Sequence, residues 1–247
     1  MFERRNIQCM LGVLGVVLTL EPFAFGAPRK VHAVALGTPK KVAYSKTGDP
    51  AGALPGEEAL KIRPLVIDGA VKEWTTGEAH DVTERSFVVR RALRVNDELP
   101  GEKLGTTGAH WVWQRGPWLL VDRTAGHVTA LKLPDYDPGV SQVVWFRDYG
   151  AYCGITASGK SLYAVVAQLA LRKPVLAKRL GKFDPESRGN PEPACGVTEW
   201  QRDPLRVLFR PAGREPAAFD VLPGSAMLVE DSDEQSAASP AAGKSED

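Results

Sequence analysis

Between residues 60 and 229 the hydrophobic positions fall in short runs of strand length. "LKIRPLVI", "RSFVVRRALRV", "PWLLVDR", "HVTALKL", "QVVWF", "YAVVAQL", "PVLAKRL", "LRVLF" and "AFDVL" are rich in apolar, β-branched and aromatic residues and are separated by Gly, Pro and Asp. In "LKIRPLVIDGAV" an Asp-Gly pair marks a turn between two apolar runs. No long stretch carries clean helix caps at both ends. The pattern predicts an all-β fold of repeated antiparallel hairpins, small and propeller-like or sandwich-like, with few or no helices.

The flanks read differently. Residues 1–27 have the form of a secretory signal peptide: Arg4 and Arg5, then an apolar or neutral run from Met10 to Leu20, then small residues in Ala24-Phe25-Gly26 that place cleavage after Gly26 or Ala27. The run is too short for a membrane span, which takes about 20 apolar residues. No stable span is therefore expected after cleavage, and the localisation is secreted or periplasmic. Residues 28–59 are rich in Gly, Pro and Lys, with room for two short strands and a linker, and residues 60–229 form the all-β repeat domain. Residues 230–247 are expected to be a disordered acidic tail. The formal net charge of +1 divides into −5 on that tail and +6 on the body, the leader being neutral. A tail of that charge can also fold back over a basic site. The small net charge gives no reason to expect a nucleic-acid partner.

Three segments align by their first residues. "WQRGPWLLVDR" starts at Trp113, "WFRDYGAYCGI" at Trp145 and "WQRDPLRVLF" at Trp200, and "EWTTGEAHDV" at Trp74 is a degenerate fourth. Each continues into an apolar strand, a turn containing Gly and a second strand. Such repetition points to one supersecondary unit that buries its apolar face against its neighbours. "ASGKSLYAVV" and "GPWLLVDRTAGHV" resemble the strand–turn–strand units of secreted β-propeller repeats of the TolB and YVTN kind, over residues 111–181. The chain departs from that pattern at Ser158, where an acid usually stands, and in its uneven spacing. The resemblance implies a blade-like meander and a binding role outside the cytoplasm.

One motif competes with this reading. "GITASGKS", Gly154 to Ser161, matches G-x-x-x-x-G-K-S, the phosphate-binding P-loop. A working P-loop needs a strand before it and a helix after it. Leu162, Val165, Val166 and Leu169 do lie at helical spacing. Against this, "SLYAVVAQL" is rich in residues that suit a pleated surface, and no alternation of strands and helices follows. The expectation is a hairpin turn at Ser158-Gly159 with Lys160 in solvent.

Other candidate chemistry is sparse. Cys153 and Cys195 are the two cysteines of the mature chain and suggest one disulfide in an oxidising compartment. His32, His80, His110 and His127 show no metal-ligand spacing, and His80 and Asp81, as neighbours on a strand, face opposite ways. Asp135 and Asp137 in "LPDYDPG" suit a Pro-flanked turn better than a calcium site. "HWVWQRGPW" places Trp111 and Trp113 on one strand face, with Gln114 and Arg115 nearby; Trp111, Trp113 and Arg115 are a candidate ligand-binding platform, with packed core tryptophans as the alternative. Taken together these features predict an extracytoplasmic binding or interaction module without cofactor or metal, its partner a protein or envelope component. A secreted hydrolase with a loop-assembled site is the alternative, and a P-loop nucleotide binder stands behind both.

Overall fold

The computed structural model describes residues 31–46, 49, 57–96, 111–171, 173–185 and 193–229. The expected signal peptide and acidic tail lie outside the described residues. Fifteen strands build three sheets, and no α-helix occurs among the described residues. The all-β expectation holds.

The first sheet takes β1 (Val34–Leu36), β2 (Lys40–Ala43), β3 (Ala59–Ile67), β4 (Ala70–Thr83), β5 (Ser86–Asn96), β6 (Trp111–Asp122) and β7 (Val128–Ala130). Its order is β1-β3-β4-β5-β6-β7, and β2 pairs with the other half of β3. β1 and β2, placed by sequence in a separate N-terminal segment, thus belong to this sheet, and the boundary expected at 59/60 falls inside β3. The Asp68-Gly69 pair makes the β3–β4 turn with φ of 52° and 79°, the positive values that a two-residue type I′ hairpin turn requires.

The second sheet is a meander of β8 (Val144–Phe146), β9 (Tyr149–Ile155), β10 (Ser161–Gln168) and β11 (Leu176–Lys182). The third is a meander of β12 (Glu199–Arg202), β13 (Leu205–Phe209), β14 (Ala217–Leu222) and β15 (Ser225–Leu228). The central strands of the second sheet are buried on both faces: all seven residues of β9 are buried, and most of β10. By the two-residue strand period, Ala151, Cys153, Ile155, Leu162, Ala164 and Val166 pack against Val207, Phe209, Phe219 and Val221 of the third sheet. From the opposite face Tyr152, Val165 and Ala167 pack with Val143 against Trp118 of the first sheet.

Two of the aligned tryptophans do equivalent work. Trp145 and Trp200 each stand in the first strand of a meander and dock on the preceding sheet. Trp145 meets Trp118 edge-on at 5.4 Å and stacks on His80 at 6.4 Å. Trp200 packs on Phe146 and Tyr149 and donates its indole N–H to the Val144 carbonyl at 3.0 Å. Trp113 does not share this place: it stands within the long strand β6, edge-on to Trp74 at 5.7 Å.

Cys153 on β9 and Cys195 before β12 stand at disulfide distance, with Cα atoms 6.3 Å apart. Both are buried in the core between the second and third sheets.

Candidate functional site

GITASGKS is the β9–β10 hairpin. Ile155 pairs with Leu162, Gly159 donates its N–H to the Thr156 carbonyl at 2.8 Å, and Lys160 is exposed. The residues after Ser161 form β10, so the helix that would hold a phosphate is a strand. Both glycines have structural reasons. Gly159 has φ +69°, and a Cβ on Gly154 would lie 2.8 Å from the Asp135 carbonyl oxygen, which also accepts the Ile155 N–H.

The platform expected at Trp111, Trp113 and Arg115 is not assembled as an exposed surface. Trp111 is exposed, with the Arg94 guanidinium 5.0 Å from its ring centre. Trp113 packs with Leu60, Ile62 and Ala92. Arg115 is 12% exposed and fully engaged: it donates to the Tyr44 hydroxyl at 2.6 Å, to Asp49 at 2.7 Å and to Glu57 at 2.6 Å. It fastens the chain after β2 to β6, where Ser45 also donates its N–H to the Trp113 carbonyl.

The histidines do not gather either. His32 bonds Asp68 at 2.8 Å, and His80 donates from Nε2 to the Arg147 carbonyl at 2.8 Å while Asp81 pairs with Arg123. Among the described residues no serine or threonine hydroxyl bonds either ring, and no group of three potential metal ligands occurs. Asp137 accepts the Gly139 N–H at 2.8 Å and so caps its Pro-flanked turn. His110 lies outside the described residues.

A different site emerges beside β5. A cleft of about 510 Å³ is lined by four cations, Lys61, Arg63, Arg90 and Arg115, by two carboxylates, Glu57 and Glu78, and by Thr76 and Trp118, with Gln142 and Val143 closing it from the segment before β8. That volume suits a small organic ligand. Its cations are unevenly matched. Arg115 has two carboxylates. Arg63 faces only the exposed Glu78, at 3.7 Å, and bonds the Gly77 carbonyl. Arg90 is 8% exposed; its Nε donates to the Gly116 carbonyl at 3.0 Å, and its buried Nη2 has no partner. A buried guanidinium with an idle donor is costly, because desolvation removes water without replacing it.

The surroundings carry the same strain. Burial pulls the Arg90 guanidinium below the ordinary arginine range, with Asp49 pushing it partly back. Burial raises the Asp49 carboxyl despite Arg115 beside it, and raises the Tyr136 hydroxyl. Asp49 Oδ1 is likewise buried without a partner, and the buried Tyr136 hydroxyl and Trp118 indole N–H face each other. Sequence reasoning missed Arg90. Its signal was present in "FVVRRALRV": Val88, Arg90 and Ala92 share the period of a buried strand face, so one arginine of the pair must enter the interior. Comparison of the chain with protein-family models, with curated proteins and with solved structures finds no match.

Proposed function

We propose that the protein is an extracytoplasmic binding module rather than an enzyme, and that the cleft beside Arg90 takes a small organic anion. The observation that carries this reading is Arg90 itself, a buried cation with an unused donor at a cleft wall. An anionic group there would supply the missing acceptor and a charge-assisted bond. Lys61 and Arg63 add positive charge at the cleft, and the Trp118 indole adds apolar surface.

The compartment rests on the leader-like N-terminus and on the cysteine pair at disulfide distance. No helix of the described residues is long and apolar enough to cross a membrane. The meander β8–β11 is also what a blade similar to the secreted TolB and YVTN repeats would need, which supports a binding role.

The test is thermal unfolding of the full chain during titration with benzoate, citrate and inorganic phosphate. At least one should raise Tm saturably, and Arg90→Met should abolish the rise. Without ligand the variant should be as stable as the wild type or more so, since exchanging buried charge for an apolar group of similar volume is neutral or stabilising, by up to about 4 kcal/mol. Equal shifts in both proteins, or none in either, would refute the reading.

A further inference from the structure

A second groove lies apart from the cleft beside Arg90 and shares no lining residue with it. Its volume is about 320 Å³, at the small end of the range for ligand sites. One wall is the chain from Thr129 to Pro134, which carries on from β7. The Leu131 N–H ties this wall to the Trp118 carbonyl at 2.8 Å, and the Tyr152 hydroxyl pins its far end by donating to the Pro134 carbonyl at 2.6 Å. The other wall is the end of β10 and the turn that follows. There Leu169 donates its N–H to the Asp148 carbonyl at 3.0 Å and Leu171 to the Gln168 carbonyl at 2.9 Å. Val175 then closes the turn on the Val166 carbonyl at 2.8 Å. With both walls bonded into the fold, the groove is formed before any ligand arrives.

Its chemistry differs from that of the first cleft. The surface is mostly apolar: Ala167 is buried, Leu131, Leu133 and Leu169 are half-buried, and Leu171 is 47% exposed at the rim. Gln168 is committed elsewhere, its Nε2 donating to Asp148 at 2.8 Å. The charge is of one sign. Lys132 stands on the first wall and Lys173 on the second, both exposed and neither in an ion pair among the described residues. No carboxylate of the described residues lines the groove, whereas the cleft beside Arg90 carries Glu57 and Glu78 among its cations.

We infer that this groove binds a medium-chain alkyl carboxylate, its chain along the four leucines and its head group between Lys132 and Lys173. Charge complementarity selects the head group, because both ionic side chains are cations and each sits on its own wall. The apolar walls select the tail, since covering them removes hydrocarbon from water on both partners. The small volume favours a chain of medium length over a long one. This site is independent of the anion proposed for the cleft beside Arg90.

Isothermal titration calorimetry of the full chain with hexanoate, octanoate and decanoate tests the inference. Binding should be saturable, and affinity should rise about fourfold for each methylene that becomes buried. Decyltrimethylammonium has the same tail and the opposite charge. It should bind about tenfold more weakly than decanoate, because two attractions of surface strength become two repulsions. Lys132→Gln with Lys173→Gln should weaken decanoate about fivefold and leave thermal unfolding unchanged, both side chains being exposed. Arg90→Met should bind decanoate as the wild type does, so the two sites are read separately. No saturable binding, equal affinity for both head groups, affinity indifferent to chain length, a double variant that binds like the wild type, or loss of binding in Arg90→Met would each overturn the inference.

Discussion

Asp122 shows how far single residues are governed by their own turn. At the end of β6 its carboxylate accepts the Ala125 N–H at 2.9 Å and the Thr124 N–H at 2.7 Å. These bonds favour the charged form and hold its pKa below the ordinary 3.8. The folded pKa being depressed, the stabilisation is present in full above the unfolded value and is lost as pH falls through the lower folded value. A carboxyl-carbon NMR titration should therefore place the Asp122 midpoint below 3.8, and Thr124→Pro, which removes one donor, should raise it. Contacts of this kind are legible in sequence because donor and acceptor are neighbours. The same holds for Asp68-Gly69, whose φ values the dipeptide foretells, and for Gly159 in its hairpin. Arg115 is the opposite case. Its partners Tyr44, Asp49 and Glu57 lie 58 to 71 residues away, so no local pattern could show that this arginine was already occupied.

Among the strands, β9 is the one with least freedom. Its seven residues are buried from both sides, and the glycines at 150 and 154 make room for the Trp145 ring and the Asp135 backbone. Gly154→Ala should lower stability by about 1–3 kcal/mol, the usual cost of overpacking against a backbone atom that cannot swing away. Gly159→Ala has open space but an unfavourable φ, and should cost on the order of 1–2 kcal/mol. Urea unfolding of both variants would separate packing from backbone strain within one motif. The apolar strands were readable from their composition. The longest strand, β4, was not, because "AVKEWTTGEAHDVT" is mostly polar. Thr75 and Thr76 are buried there only because their hydroxyls reach the Arg63 and Lys61 carbonyls on β3, a pairing that exists once the sheet has formed.

The molecule as a whole stands on the stacking of its sheets, and the cysteine pair joins the second to the third across 42 residues of sequence. On the chain-entropy account, linking positions that far apart removes roughly 4 kcal/mol of unfolded-state freedom. Reduction, or Cys153→Ser with Cys195→Ser, should lower the free energy of urea unfolding by up to about that amount, and the loss should be absent when the doubly substituted protein is reduced. By itself the sequence determined the class of fold, most strand positions, the hairpin nature of GITASGKS and the candidate cysteine pair, because periodicity, turn chemistry and residue scarcity are properties of the chain as written. The tertiary structure alone decided which tryptophan was surface and which core, which arginine was paired and which idle, and where the cleft lies. Those depend on strands that meet only in the folded sheet, where the β5–β6 register sets Arg90 opposite Trp118, and burial is a property of what comes to rest on the other side.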